Sequence, residues 1–303
     1  MAMELQHLRY FQKIAQFESV TQAAKDLHVA QSALSRVLRG LENELGVQLF
    51  DRVHNHLYLN TNGQILLKYT GRVMDNLKDM RREIADANTL KADDTIVFIV
   101  KVASKFLPQI ISEFSQQYPN IHFVIVQNTA GMPVERKWDI CLDATIKAEE
   151  ARDAWCVLKE EICLAMPKNH PLAARREIAL REVAEETFIG LQKGSSMNEI
   201  AASYCAAAGF KPNVVLESDN PATLRGLMHL GIGIAFNPVI TWSEVSDDTI
   251  ALIPIKDMEC CRYINVRLRS GTYHAQAVLR FKDFLIQFFH TLQEKHNKSV
   301  MKR

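Results

Sequence analysis

Residues Ala30 to Arg52 read AQSALSRVLRGLENELGVQLFDR, and Leu34, Leu38, Leu41 and Leu45 recur in them at steps of four, three and four, with Val37 beside them. That spacing predicts one apolar face of an amphipathic helix. The opposite face near its start carries Gln31, Ser32, Ser35, Arg36 and Arg39, with no acid before Glu42. Amides, hydroxyls and guanidinium groups gathered on the first turns suit a helix that enters a DNA major groove. Gly46 is placed to close the helix as a left-handed cap.

Just upstream, SVTQAAKDLHV holds Ser19 and Gln22 at capping-box spacing, with Ala23, Ala24 and Leu27 facing inward. Two short helices joined by a tight turn at His28 to Ala30 predict a helix-turn-helix. Leu5, Leu8, Phe11 and Ile14 give a first helix its inward face, to pack behind that motif. Beyond Arg52, VHNHLYLN sets Leu57 and Leu59 around Tyr58, the alternation of a strand in a small hairpin, or wing. His54-Asn55-His56 also spells a nuclease-like tripeptide, but a hairpin tip between two apolar strands accounts for it.

With 303 residues the chain is about twice the usual domain size, so two or three compact units are expected. The formal net charge is only +1, and residues 1–62 hold six Lys/Arg against six Asp/Glu, so the head is no general polyanion binder. Affinity for DNA must then come from the placement of a few cations and from dimerisation. The six cysteines have no CxxC or Cys/His zinc spacing, so no metal is expected and the thiols read as free core groups. No signal peptide is recognised, and the run IVFIVKVA is interrupted by Lys101 and too short to span a bilayer. A cytoplasmic location is the expectation. No catalytic motif is present: there is no GxSxG, P-loop or HExxH, and GIGIAF is not GxGxxG. Neither an enzyme nor a cofactor is therefore expected.

Thr61 and Gln64 have capping-box spacing and open a helix running to about Thr89. Leu66, Thr70, Val73, Leu77, Met80, Ile84 and Ala87 alternate steps of four and three along it, a coiled-coil seam. A second copy of the same helix is the simplest partner, with Leu66, Val73, Leu77, Met80 and Ile84 making the dimer contact. After a polar hinge at Lys91 to Asp94, strand-like and helix-like segments alternate, which predicts largely parallel sheets. They run through TIVFIVKV, FLPQIISEFSQQY, IHFVIVQ, WDICLDATI, a crossover near Trp155 to Leu158, EICLAMP, a helix around Ile178 to Glu186, FIGLQ, MNEIAASYCAAAGF, NVVLES, ATLRGLMHLG and IGIAFNP. Val266–Leu268 and a terminal helix at Ala275–Glu294 return to the first lobe, leaving a cleft where ligands sit at strand carboxyl ends.

Leu8, Phe11, Ala23-Ala24, Leu27, Gln31-Ser32-Ala33-Leu34-Ser35, Leu41-Glu42, Leu45-Gly46, Leu49-Phe50 and Arg52 together resemble the DNA-binding head of LysR-type transcriptional regulators. Pro108, Tyr118-Pro119, Trp138-Asp139, Pro167, His170-Pro171-Leu172, Ala207-Ala208-Gly209-Phe210, Gly231-Ile232-Gly233 and Pro238 resemble the effector-binding domain of the same family, itself similar to periplasmic binding proteins. The resemblance implies a multidomain α/β protein with a winged helix-turn-helix at 1–60, a coiled-coil dimerisation helix at 61–90 and a two-lobed effector domain at 91–303. Lobe I would take about 95–157 and 266–303, and lobe II about 158–265. It further implies a homodimer, associating into a tetramer, on a pseudo-palindromic duplex site under control of a small-molecule effector. The other reading is a small-molecule binding protein whose head serves assembly.

On these grounds Gln31, Ser32, Ser35, Arg36, Arg39, Arg52 and His54 are the candidate DNA contacts. Gln31 suits adenine and Arg36 guanine or phosphate, while Arg39 and Arg52 suit phosphate. The family usually has a basic residue where Asn55 sits and Thr where Asn60 sits. Candidate effector contacts are Ser195, Ser196 and Asn198 at a helix start, Asp219 and Asn237 on loops of the same lobe, and Ser104 on the opposite wall. An ordinary N-cap accounts equally well for Ser195. The segment NTAGMPVERK is shorter than the family's usual helix there. A peroxide-sensing branch of the family uses two cysteines in this lobe; Cys205 falls near the second, but Ser196 stands at the other, so that pair cannot form.

Overall fold

A computed structural model describes residues 3–53, 56–87, 95–127, 138–149, 151–243 and 249–300. His54, Asn55, the hinge 91–94 and the segment 128–137 lie outside the described residues. The chain divides into two compact units, one within residues up to 90 and one formed almost wholly by the remainder.

In the first unit α1 (Leu5–Phe17), α2 (Val20–Asp26) and α3 (Gln31–Leu45) precede a hairpin of β1 (Phe50–Val53) and β2 (His56–Leu59). Phe11, Ile14, Ala23, Ala24, Leu34, Leu38 and Leu41 form one buried core with Leu49, Phe50 and Leu57 of the hairpin. Ser19 Oγ accepts the Gln22 N–H, and Gly46 closes α3 at φ 68°. Leu45 departs from the expected apolar face and is exposed. One turn earlier the core instead admits Glu42, whose carboxylate accepts the Leu49 N–H at 3.0 Å and so anchors the chain as it enters the hairpin. A charge-assisted hydrogen bond makes that burial tolerable.

The long helix α4 (Thr61–Ala87) follows. Its cap is Asn60 rather than Thr61: Asn60 Oδ1 accepts the Gly63 N–H at 3.0 Å, while Nδ2 donates to the Gln48 carbonyl. A residue that departs from the family pattern thus has a structural task. Gly63 is needed for close approach, since a Cβ there would stand 2.2 Å from the Leu49 carbonyl oxygen.

The second unit is built on a sheet in the order β10-β6-β11-β5-β3-β4, with β9 also pairing β6. In chain order it comprises β3 (Thr95–Val100), α5 (Leu107–Gln117), β4 (His122–Val126), β5 (Ile140–Thr145), β6 (Ala154–Pro167), β7 (Thr187–Leu191), α6 (Ser196–Ala207), β8 (Asn213–Ser218), α7 (Pro221–His229), β9 (Ala235–Pro238), β10 (Ile250–Ile253), β11 (Cys261–Leu268) and α8 (Gln276–Val300). β3 is parallel to β4 and β5, and β7 to β8. The other strand pairs are antiparallel, with single parallel bridges at Ile178–Ile255 and Phe188–Ile234, so the sheet is mixed rather than largely parallel. Strand and helix alternation is blind to direction where strands pass between lobes. The expected crossover at Trp155 to Leu158 is the first half of β6, a 14-residue strand. Between Ala154 and Glu161 it pairs β11, and from Ile162 onward β9 and β10. The helix expected at Ile178 to Glu186 contracts to a 3-10 turn, Leu180–Val183, whose first and last residues are buried.

Where β6 changes partners, Glu160 and Arg262 lie buried together, with Arg262 Nε 2.7 Å from Glu160 Oε1. The same carboxylate accepts the N–H groups of Ile240 and Thr241 and the Thr241 hydroxyl. Arg262 Nη2 donates to Thr241 Oγ1 and Nη1 approaches Met197 Sδ. α8 covers lobe I with aromatic rings, Phe281 meeting Phe98 edge-on at 5.1 Å and Phe114 at 4.8 Å.

Arg262→Ala leaves Glu160 uncompensated and should cost about 3–5 kcal/mol of unfolding free energy, whereas replacing both by apolar residues of similar volume should cost far less. Urea denaturation of the single and double variants checks this; equal losses would deny the pair its role.

Candidate nucleic-acid interface and ligand-binding lobes

On α3, Gln31, Ser32, Arg36 and Arg39 are exposed and Ser35 is half-buried. Their exposure follows from the leucine face: Leu34, Leu38 and Leu41 fix the rotation of the helix and turn the polar residues outward. The N-cap, Ala30, makes no side-chain cap, and the first turn contains no acid. The Ala33 N–H turns back to the Ala30 carbonyl at 3.0 Å, and the helix dipole leaves this end of α3 partially positive. Arg39 Nε returns to the Ser35 carbonyl at 3.3 Å, and Arg36 has no ion-pair partner among the described residues. Arg52 stands exposed on β1, opposite Leu57 of β2. His54 lies outside the described residues.

The seam on α4 divides. Leu66 packs against the head core, and Thr70 is buried. Ile65, Tyr69, Val73, Met80 and Ile84 are exposed, with Leu77 half-buried. At 3.6 residues per turn these six fall within a stripe about 120° wide along a helix of roughly 40 Å. Sequence spacing placed Leu66 and Thr70 in the same seam because the repeat does not distinguish a helix start resting on its own domain.

In the second unit, Ser195, Ser196 and Asn198 come together at the start of α6. Ser195 Oγ accepts the Asn198 N–H at 3.2 Å, and Asn198 Nδ2 donates to the Leu191 carbonyl at 2.9 Å. Ser195 is therefore the helix cap, with Ser196 beside it. Asp219, exposed after β8, stands near this turn, because the Gln192 N–H donates to the Ser218 carbonyl and ties the two loops. Asn237 does not join them. It lies within β9, fully buried opposite Cys163, rather than on a loop. Its burial follows from the pairing of β9 with the central strand β6. Ser104 begins a 3-10 turn after β3, following Ala103 at φ 57°. Next to it, Lys105 Nζ reaches Ser243 Oγ at 2.6 Å, joining the two lobes. Sequence reasoning missed Glu160, Arg262 and this contact, whose partners lie more than 100 residues apart.

Four buried thiols are quiet. Burial pushes Cys163 and Cys205 up to about 12, burial with the Asp143 carboxylate does the same to Cys141, and burial with Asp257 to Cys260.

Residues 5–64 match the family model for a bacterial regulatory helix-turn-helix protein of the lysR family, and residues 95–289 match the LysR substrate binding domain. The chain belongs to the LysR family. It is a transcription regulator with a helix-turn-helix DNA-binding domain followed by a two-lobed α/β substrate-binding domain. Among its LysR relatives, YybE of Bacillus subtilis (strain 168), named an uncharacterized HTH-type transcriptional regulator, is 34% identical over 294 residues, covering 95% of this chain and 99% of that one. The transcriptional dual regulator GltC of the same strain is 31% identical over 300 residues, covering 96% and 99%. A full-length OxyR variant from Pseudomonas aeruginosa shares the fold, with a TM-score of 0.68 at 20% identity over 94% of this chain and 95% of that one. No described helix is long and apolar enough to cross a membrane.

At pH 7.5 the native protein should resist iodoacetamide at Cys141, Cys163, Cys205 and Cys260, since the reactive thiolate is negligible so far below a pKa of about 12. Mass spectrometry should find all four alkylated once the chain is unfolded. Rapid native labelling of any of them would contradict the packing.

Proposed function

We propose that the chain regulates transcription by reading a pseudo-palindromic duplex site as a homodimer, with α3 in the major groove and a small molecule in the second unit tuning the outcome. The observation that carries this is the acid-free, uncapped and exposed opening of α3. Gln31, Ser32, Ser35 and Arg36 are the base readers, and Arg39 and Arg52 are phosphate anchors. The apolar stripe of α4 from Ile65 to Ile84 is the dimer seam. A stripe of that width in water is favoured only when covered. Further association into tetramers is supported by apolar side chains on outer strands of both lobes, Val124 and Ile125 on β4 and Val215 on β8.

The protein works by binding, without cofactor or catalysis, in the cytoplasm where its DNA lies. The domain boundaries that follow are 1–60, 61–90 and 91–303, with lobe I at about 95–157 and 266–303 and lobe II at about 158–265. Ser104, Ser196 and Asp219 remain candidate effector contacts, with the Ser195–Asn198 turn holding the second wall.

Footprinting on genomic fragments at near-physiological salt tests the reading. Two protected half-sites are expected, and no protection by folded, oligomeric protein would overturn it. Arg36→Ala should weaken specific binding by about 1–3 kcal/mol while leaving the oligomer intact. Met80→Asp puts a charge on the exposed stripe and should halve the mass found by light scattering; an unchanged mass would remove that stripe from the interface.

A further inference from the structure

Inside lobe II a cavity of about 60 Å³ lies between β7, α6 and the start of β8. Its walls are apolar, Phe236 and Trp242 among them, and it exists because the facing residues are small. Gly190 supplies no side chain from β7, and Ala201 and Ala202 supply only methyls from α6. A Cβ built on Gly190 meets nothing within 4 Å, so the gap is a property of that position and not of a crowded backbone. Asn198 lines the same cavity. Its Nδ2 is committed to the Leu191 carbonyl, and no donor among the described residues reaches its Oδ1.

We propose that this cavity is a ligand subsite for a small molecule carrying a short unbranched alkyl arm next to an N–H or O–H donor, the arm filling the space over Gly190 and the donor meeting Asn198 Oδ1. The proposal rests on the reading of this unit as a ligand-binding domain. Size sets the class. A cavity of roughly 150 Å³ accommodates benzene, so one of this volume takes two or three carbon atoms and no aromatic ring. Apolar walls select the arm, and the Asn198 Oδ1 acceptor selects a donor over a carboxylate, whose oxygens would face it with like partial charge. A side chain at Gly190 would meet no neighbour within 4 Å of its Cβ, so the space over it is left by the choice of glycine and not forced by the packing.

The test uses the full-length protein labelled with ¹³C at methionine methyls, with Met197, which lines the cavity, as reporter. The probes are acetamide, propionamide, butyramide, benzamide and N,N-dimethylpropionamide. A saturable Met197 shift is expected, with affinity rising about fourfold per added methylene from acetamide to butyramide. Benzamide, too large, and the dimethyl amide, without a donor, should bind at least tenfold more weakly than propionamide. Gly190→Val should abolish the shift, and Gly190→Ala, the milder variant should valine perturb folding, should weaken propionamide severalfold. No saturable shift, benzamide binding as tightly as propionamide, or unchanged affinity in the folded Gly190→Ala protein would overturn the subsite. Footprinting the same samples separates the two readings. DNA protection without probe binding removes the subsite alone, and probe binding without protection removes the regulator reading alone.

Discussion

The buried pairing of Glu160 with Arg262 is the constraint on which the two-lobed unit depends. β6 serves both lobes, and at Glu161 to Ile162 it exchanges β11 for β9 and β10. At such a handover the sheet is interrupted, and groups that neighbouring strands would have paired must find other partners. The Ile162 N–H reaches the Cys260 carbonyl, and the Val239 N–H reaches the Glu161 carbonyl. Glu160 gathers the rest. Its carboxylate receives a guanidinium, two backbone N–H groups and a hydroxyl. Burying a carboxylate costs several kcal/mol unless its lone pairs are used, and here they are used. The pair thus fixes where one lobe ends and the other begins, whether or not it adds net stability.

The head is held by a related device. Glu42 turns into the core beside Leu41, although the repeat assigns the inward positions to leucines, and binds the Leu49 main chain. Asn60 then ties the end of the hairpin to Gln48 and caps α4. Both polar side chains fasten the backbone of the hairpin's two ends, so the wing is set relative to α3 by hydrogen bonds whose partners are close in sequence. With these groups turned inward, Gln31, Ser32 and Arg36 stay exposed on the outward face of α3.

Periodic elements were legible from the chain. The helix-turn-helix, its glycine cap, the hairpin and α4 all announce themselves through local spacing, as does each lobe's run of strands and helices. Strand direction did not, because alternation is the same whether β6 and β11 return antiparallel or cross over in parallel. The charge pair was invisible for a similar reason: Glu160 and Arg262 are 102 positions apart, and neither sits in a motif. Leu45 and Leu66 show the opposite failure, where a correct helical period says which residues share a face but not what covers it. Asn237 failed through an element boundary, since β9 extends to Pro238 and carries the residue into the core.

For a ligand to alter the lobes' arrangement it must bind two arrangements with different affinity, and it shifts their balance by no more than that difference. The floor of the domain, pinned at Glu160, is a poor place for change, because opening it would strand a buried charge. The direct tie between lobes beside Ser104 is of another kind. Lys105 Nζ donates to Ser243 Oγ at the surface, where water competes for the ammonium and even a charge-assisted hydrogen bond contributes no more than about 1.5–3 kcal/mol net. A contact that weak is easily outweighed by a few new contacts from a small molecule. A fixed pivot with weak closure across it leaves the choice of arrangement to whatever occupies the lobes. A strong closure would have reserved that choice for the protein.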